Sequence, residues 1–191
     1  MNDKLVIFDC FGVIFDEIAV RFFNTHFKPD EAARLKDKYF CPADLGEIEY
    51  DEIFEKMSAE LSWDKQELLK EWNSLFNLRK EMVPLIRWAG EKADTVLLSN
   101  APKGLVEKLF EENAISDLFL QMTVSANVKM AKPDKAIYRY CVERMNKEYS
   151  AVYMIDDSPA NLKGLEDIGI TPILFESVEA LRERLETELG K

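Results

Sequence analysis

Short apolar runs, separated by stretches of helical periodicity, most constrain what this chain can fold into. The clearest runs are residues 5–8, 95–98 and 151–155; residues 171–175 form a fourth and residues 121–125 a weaker fifth. Runs of this length without polar alternation are typical of strands that are covered on both faces, as in a parallel sheet. We therefore predict an α/β fold with a mostly parallel sheet.

Residues 16–83 differ from the rest of the chain because they show helical periodicity and no convincing strand. One apolar stripe runs through residues 50–61 and another through residues 68–76. We interpret this region as a small α-helical bundle inserted after the first strand, which assigns residues 1–15 and 84–191 to the core. The alternative is that these helices simply pad the core. A length of 191 residues suits one core with a small inserted module better than two full domains.

The charge balance narrows the partners that the chain is expected to bind. Lys and Arg number 25 and Asp and Glu number 36, so the formal net charge is −11. Nucleic acids and anionic membranes are disfavoured because both attract basic surfaces, and no apolar stretch is long enough to span a bilayer. The three cysteines lack metal-type spacing, so we expect reduced thiols in a cytoplasmic protein. The sequence leaves the oligomeric state open.

Three of the predicted strands end at polar residues that could carry chemistry. Asp9 follows the first strand, where a carboxylate is able to act as a nucleophile. Ser99 and Asn100 end the second strand, where they could hold an anion or cap a helix that begins at Pro102. Ligands bind outside the carboxyl ends of the strands in open α/β sheets, so these residues fall where such a fold places its site.

A lysine and two adjacent aspartates complete the candidate set. Lys132 precedes Pro133 at a predicted helix start, where a bound anion would offset the unfavourable interaction of the ammonium with the helix dipole. Asp156 and Asp157 follow the third strand, and with Asp9 they would concentrate about three negative charges in one cleft. Carboxylates of this kind suit Mg²⁺, which binds through one or two of them plus a substrate phosphate. Each residue alone has an ordinary structural explanation, but their joint occurrence favours a site.

Four segments, in this order, resemble the haloacid dehalogenase (HAD) superfamily over essentially the whole chain. The segments are residues 7–13 (IFDCFGV), 98–100 (LSN), 132–138 (KPDKAIY) and 155–161 (IDDSPAN). The resemblance implies a Rossmann-like HAD core with a helical cap inserted after the first strand. It also implies an Mg²⁺-dependent phosphatase that hydrolyses a small phosphorylated metabolite, for example a sugar 1-phosphate, through an aspartyl-phosphate intermediate.

The resemblance also assigns roles to individual residues. Asp9 is similar in position to the nucleophile, and Ser99 and Lys132 are similar to the pair that holds the phosphoryl group, with Asn100 lining that site. The implied Mg²⁺ ligands are Asp9, the backbone carbonyl of Phe11, Asp156 and Asp157. Which of the two adjacent aspartates contacts the metal directly is left open.

Phe11 departs from the phosphatase pattern of this family. An aspartate usually stands there as the general acid for the leaving alcohol and the base for the attacking water, and phenylalanine can do neither. General acid–base catalysis is typically worth ~10²–10⁴-fold. Three interpretations follow: the substrate has a good leaving group, another side chain or a water replaces the acid, or the chain is a catalytically weak HAD-fold binding protein. A Phe11→Asp variant that gains hydrolysis would favour the last.

The aromatic residue at position 11 also resembles the 2-haloacid dehalogenase branch of the family, which uses its aspartate to displace halide without a metal. In that interpretation Arg21, Arg34 and Arg79 are each able to hold the substrate carboxylate, and nothing in the sequence selects one. The adjacent aspartates resemble the metal-binding phosphatase pattern instead. An acidic cluster would also repel a carboxylate substrate, so the sequence favours the phosphatase.

Overall fold

The computed structural model describes residues 2–190 and contains one parallel sheet of five strands. The strands are β1 (Lys4–Phe8), β2 (Asp94–Ser99), β3 (Gln121–Val124), β4 (Ala151–Asp156) and β5 (Ile170–Leu174). Their order across the sheet is β3-β2-β1-β4-β5. Each predicted run begins and ends within one residue of a strand, so the Rossmann-like α/β prediction is confirmed.

The central strand β1 determines where the candidate residues meet. It is flanked by β2 and β4, and Phe8 pairs with Leu97 on one side and with Ile155 on the other. The pairing continues past the strand, since the Asp9 N–H donates to the Ile155 carbonyl at 2.9 Å. All three strands therefore end at one edge of the sheet, and the polar residues that follow them come together there.

Ten α-helices accompany the sheet within residues 2–190. They are α1 (Ile18–His26), α2 (Pro29–Asp44), α3 (Tyr50–Leu61), α4 (Lys65–Ser74), α5 (Met82–Gly90), α6 (Leu105–Glu112), α7 (Ser125–Val128), α8 (Lys135–Glu143), α9 (Pro159–Leu162) and α10 (Val178–Leu189). Among these described residues, no helix has both the length and the apolar character needed to cross a membrane.

Helices α1–α4, which we call the four-helix region, have an apolar cluster of their own. Phe22, Phe54 and Trp72 are buried in it, and the Trp72 ring stacks on Phe40 with 4.9 Å between ring centroids. Alternate residues of the strands contribute to two further clusters, as expected for a sheet covered on both faces. The two predicted apolar stripes correspond to α3 and α4. The domain boundaries at residues 16 and 83 stay a prediction.

The predicted helix starts at Pro102 and Pro133 were wrong. Helix α6 begins three residues after Pro102, because Gly104 adopts a left-handed conformation, with φ of 77°, at the end of the intervening loop. Helix α8 begins two residues after Pro133 and is capped by Asp134, whose carboxylate accepts a first-turn N–H at 2.9 Å. Lys132 therefore lies in the loop before α8, where the helix dipole does not explain its position.

Candidate active site

Lys132 is the centre of a buried ion-pair cluster at the carboxyl edge of the sheet. Its Nζ lies 2.7 Å from Oδ1 of Asp9 and 2.6 Å from Oδ2 of Asp156. Asp9 follows β1 and Asp156 ends β4, so the pairing of these adjacent strands brings the two carboxylates together. Lys132 is only 5% exposed. The structure thus unites three of the residues that the sequence singled out.

Asn100 holds the loop that carries Lys132. Its side-chain oxygen accepts the Lys132 N–H at 2.8 Å, and its amide nitrogen donates to the Lys132 carbonyl at 2.9 Å. These two hydrogen bonds fix the backbone of a loop residue and thereby the direction of its ammonium. Asn100 also contributes to the cavity lining described below, but its polar atoms bind Lys132.

Burial and charge act in opposite directions in this cluster. Burial raises the pKa of the Asp9 carboxyl well above its ordinary value, while the Lys132 ammonium opposes this rise and Asp156 adds to it. Burial alone would lower the pKa of Lys132, but the two carboxylates in contact with it raise the pKa above its ordinary value. Lys132 is therefore charged at neutral pH and faces two buried carboxyl groups.

The two oxygens of Asp9 have different surroundings. Oδ1 accepts the N–H of Cys10 at 2.7 Å as well as the Lys132 ammonium. Oδ2 accepts no hydrogen bond from any residue in the range 2–190. One oxygen is thus held in place and the other remains available for reaction.

Asp156 differs from Asp9 because both of its oxygens are occupied. The Ser158 N–H and the Asn161 side-chain amide donate to Oδ1 at 2.9 and 3.0 Å. Oδ2 accepts the Lys132 ammonium and a second, 3.2 Å contact from Asn161. A fully buried carboxylate with this set of donors orients its neighbours.

Asp157 lies against the loop that follows β1. Gly12 in that loop has φ of 83°, and a Cβ there would lie 2.2 Å from the Asp157 carboxylate, so a side chain at this position would collide with it. Burial raises the pKa of Asp157, and the charge of Asp156 adds to the rise. Within the part of the chain that the structure describes, no other residue donates a hydrogen bond to this carboxylate.

The cluster suits a divalent cation in both geometry and charge. One oxygen from each of Asp9, Asp156 and Asp157 lies within 4.8 Å of the others. Three carboxylates and one ammonium leave two negative charges, which a magnesium ion would neutralise. The backbone carbonyl of Phe11 accepts no backbone hydrogen bond within residues 2–190, so it too is available as a ligand.

Ser99 is the predicted site residue that belongs neither to the ion-pair cluster nor to the lining of the cavity described below. It is fully buried at the end of β2, with its hydroxyl beside the Cys10 thiol. The hydroxyl donates to the Asn100 carbonyl at 3.4 Å, and the Cys10 thiol is a second hydrogen-bond partner. The phosphate contact assigned to Ser99 stays a prediction.

A cavity of about 790 Å³ lies between this cluster and the four-helix region. We call the lining residues of the core, among them Asp9, Lys132 and Asp157, the floor, and those within residues 17–76, among them Phe40 and Trp72, the upper wall. Phe11 also lines the cavity, and it packs against both the core cluster and the cluster of the four-helix region. The phenylalanine at this position therefore joins the two regions and gives the cavity an apolar ring instead of an acid.

The arginines considered for a substrate carboxylate do not line this cavity. Arg79 instead binds the loop after β1: its guanidinium donates to the carbonyls of Gly12 and Val13 and forms a 3.3 Å ion pair with Asp16. Lys36 and Lys132 are the basic residues that line the cavity among residues 2–190.

Sequence reasoning missed the supporting residues of the site. Asn161 belongs to the segment 155–161 and lies five positions after Asp156, so the sequence offered a signal. Its hydrogen bonds to the Asp156 carboxylate were nevertheless not predicted. The contact of Arg79 with the loop after β1 spans more than sixty positions and leaves no local pattern. Asp44, at the end of α2, lines the cavity without any motif to mark it.

Comparison with known proteins identifies the family of the chain. The family described as haloacid dehalogenase-like hydrolase matches residues 4–169, which include all four motif segments. The chain therefore belongs to the haloacid dehalogenase-like hydrolase family and is a hydrolase.

Individual relatives share only part of their sequence with this chain. A 66-residue stretch is 33% identical to bifunctional epoxide hydrolase 2 of Sus scrofa, and covers 35% of this chain but only 12% of that protein. A HAD family enzyme of Bacteroides thetaiotaomicron has a similar structure, with a TM-score of 0.76, 22% identity, and coverage of 92% of this chain and 95% of that one. That enzyme is also known in complex with magnesium and inorganic phosphate.

An L-2-haloacid dehalogenase of Xanthobacter autotrophicus is similar too, with a TM-score of 0.64 and 16% identity over 98% of this chain and 83% of that one. At these identities the structural likeness establishes the shared fold. The choice between phosphate and halide chemistry must therefore come from the residues of the site.

Proposed function

We propose that the chain is an Mg²⁺-dependent phosphomonoester hydrolase that acts on a small phosphorylated metabolite. The observation that carries this proposal is the buried Asp9–Lys132–Asp156 cluster with Asp157 beside it. A nucleophilic carboxylate, an ammonium and a group of hard oxygen ligands in one place suit phosphoryl transfer.

Asp9 attacks the phosphorus atom through a carboxylate oxygen while the bond from phosphorus to the ester oxygen breaks and the alcohol leaves. Water then hydrolyses the aspartyl phosphate to inorganic phosphate and free Asp9. Lys132 stabilises the charge that develops on the phosphoryl oxygens. Asn100 acts indirectly, because its hydrogen bonds hold the backbone of Lys132. Ser99 is proposed to add a hydroxyl contact to the phosphoryl group.

The proposed magnesium ligands are Asp9, Asp157 and the carbonyl of Phe11. Asp156 is the orienting member of the set, because its oxygens already accept hydrogen bonds from Ser158, Asn161 and Lys132. A bound Mg²⁺ would supply electrostatic stabilisation of the transferring phosphoryl group. The occupied oxygens of Asp156 favour Asp157 as the direct ligand of the adjacent pair.

We propose that the four-helix region acts as a cap that selects the substrate and excludes water. The cavity suits a small metabolite, and its upper wall combines aromatic rings with charged side chains, among them Glu17, Lys36 and Asp44. Sugar phosphates, including a sugar 1-phosphate with its good leaving group, are the first candidates. A cytoplasmic location and reduced cysteines belong to the same proposal; all three cysteines have free thiols.

The dehalogenase alternative has less support from the site. The cavity lining within residues 2–190 contains no arginine for a substrate carboxylate, and Arg79 is bound to the loop after β1. Three clustered carboxylates would also repel a 2-haloacid. Halide release from a 2-haloacid in the presence of EDTA would reverse this preference.

The experiment is a phosphate-release assay over a panel of sugar and other small phosphates, with Mg²⁺ and with EDTA. We expect turnover that requires Mg²⁺ and that falls by about 10⁴-fold or more in Asp9→Asn. Asp3→Asn, an exposed aspartate at the other end of β1, is the matched control and should retain activity. Absence of turnover on the whole panel, or undiminished turnover in Asp9→Asn, would refute the proposal.

A further inference from the structure

Among residues 2–190, the floor of the cavity offers no free proton donor for the leaving group. Phe11 contributes a ring without an acidic proton, Lys132 is held by two carboxylates, and Asp157 is a proposed magnesium ligand. Hydrolysis of an ester with a poor leaving group needs a proton at the departing oxygen. We therefore look for a carboxyl group able to supply that proton among the residues of the upper wall.

Asp44 is the last residue of α2 and lines the cavity as part of the upper wall. Within residues 2–190 its carboxyl group forms no hydrogen bond and no ion pair. Two other acids of this wall, Glu17 and Asp37, have partners in the fold. Glu17 caps α1 by accepting the Val20 N–H at 3.2 Å, and the exposed Asp37 forms a 3.4 Å ion pair with Lys36. Among the acids of this wall, Asp44 is thus the one whose carboxyl group has no hydrogen-bond or ion-pair partner within residues 2–190.

The end of α2 is held against the core, which fixes the position of Asp44. Two residues further on, Gly46 has φ of 68°, and a Cβ there would lie 2.6 Å from the Ala126 carbonyl. Only a glycine allows this close approach of the chain to α7. The carboxyl group of Asp44 therefore stands next to a rigid contact between the four-helix region and the core.

The charges around Asp44 suit a group that gives and takes a proton near neutral pH. Burial raises the pKa of Asp44 to about 7; Lys36 and Lys132 oppose the rise and Glu17 adds to it. Helix α7, which packs against α2, contributes no ionisable side chain. A pKa near the working pH is the range in which a carboxyl group is an effective general acid and base.

We propose that Asp44 is the general acid and base of the hydrolysis, in place of the acid that Phe11 removes. This inference rests on the proposed phosphatase function. It assigns the proton transfers to the four-helix region and the phosphoryl transfer to the core, so both regions contribute to the catalytic site.

Atoms and protons balance over two steps. In the first, an Asp9 oxygen bonds to phosphorus while the bond from phosphorus to the ester oxygen breaks, and the departing oxygen takes the proton of Asp44. In the second, water bonds to phosphorus while the bond to Asp9 breaks, and the water proton returns to the Asp44 carboxylate. Inorganic phosphate and the alcohol leave, and both aspartates regain their starting states.

The test compares 4-nitrophenyl phosphate, whose leaving group needs no proton, with the best alkyl phosphate of the panel, in single-turnover and burst experiments. In Asp44→Asn we expect formation of the phosphoenzyme from the alkyl ester to fall by about 10²–10⁴-fold, and that from 4-nitrophenyl phosphate to change by less than about tenfold. Because the base for water is also lost, 4-nitrophenol should appear as a burst of one equivalent, followed by slow turnover.

The control variant is Asp30→Asn, which removes an exposed carboxylate from the first turn of the same helix, outside the cavity, and should leave both substrates unaffected. Phe11→Asp in the Asp44→Asn background should restore part of the alkyl phosphatase activity by returning an acid to the floor. Equal losses on both substrates without a burst, or the selective loss appearing in Glu17→Gln instead, would overturn the assignment.

The wild-type enzyme gives an answer that does not depend on any variant. A general acid makes the rate of phosphoenzyme formation depend only weakly on the leaving group, so alkyl and aryl phosphates should react at comparable rates. A wild type that hydrolyses 4-nitrophenyl phosphate but no alkyl phosphate would refute the role of Asp44 and leave the phosphatase proposal intact. A wild type that hydrolyses neither would refute the phosphatase proposal itself.

Discussion

The floor and the upper wall of the cavity hold their polar groups in opposite ways. At the floor, Lys132 binds both Asp9 and the underlying Asp156, and all three side chains are almost completely buried. In the upper wall, aromatic rings lie among charged side chains, and Asp44 has no hydrogen-bond partner among residues 2–190. The ion pairs of the floor keep one geometry, whereas the wall contains a carboxyl group that is able to change its protonation. This difference suggests that positioning chemistry lies in the core and that selection and proton transfer lie in the four-helix region.

The largest expected effect is on the floor. Lys132→Met leaves two buried carboxyl groups without their ammonium, so we expect the free energy of unfolding to fall by about 3–5 kcal/mol. Lys108→Met, which removes an exposed lysine at 3.9 Å from Glu112, should change it by less than about 0.5 kcal/mol. Urea denaturation of both variants at neutral pH measures the difference. Similar losses in the two would mean that the floor is not held by this cluster.

The next effect concerns the metal and needs no assay of activity. If Mg²⁺ binds the folded chain alone, a concentration of 100 times its Kd should raise the free energy of unfolding by about 2.7 kcal/mol. Asp157→Asn should lose most of this stabilisation, whereas Asp167→Asn, an exposed aspartate paired with Lys135, should retain it. Thermal unfolding with and without Mg²⁺ tests this, and an unchanged magnesium effect in Asp157→Asn would exclude that residue as a ligand.

The smallest effect concerns the upper wall. Because the folded-state pKa of Asp44 is raised to about 7, its protonated form stabilises the fold. That contribution is fully present below about pH 4 and is lost as the pH rises through about 7. Asp44→Asn should therefore match the wild type near pH 4 and exceed its stability by about 1–3 kcal/mol at pH 8. Parallel stability curves between these pH values would mean that Asp44 titrates normally.

The floor was largely predictable from the sequence, and the wall was not. Asp9, Asp156 and Asp157 follow apolar runs that are continuous because both faces of the sheet are covered, and parallel pairing then brings strand ends together. The wall is lined by residues spaced along α2, where the helical period explains burial but not which residues face a cavity. No sequence motif marks Asp44, because its proposed role depends on how the four-helix region packs against the core.

Two details near the floor were not predicted either, because they too depend on tertiary packing. The hydrogen bonds between Asn100 and Lys132 join residues 32 positions apart, and only the folded loop shows them. The fully buried position of Ser99 depends on which face of β2 its side chain takes at the last residue of the strand. Spacing along the chain identifies such residues, but the direction of a side chain depends on tertiary packing.

Trapping of the phosphorylated enzyme tests the central claim most directly. Wild type and Asp44→Asn would be mixed with 4-nitrophenyl phosphate and Mg²⁺, quenched in acid, digested, and analysed by mass spectrometry. We predict one phosphoryl group on the peptide that contains Asp9, at higher occupancy in Asp44→Asn because water attack is slowed. Rapid substrate turnover with no phosphoryl group on that peptide in either protein, or with one on another residue, would contradict the proposed mechanism.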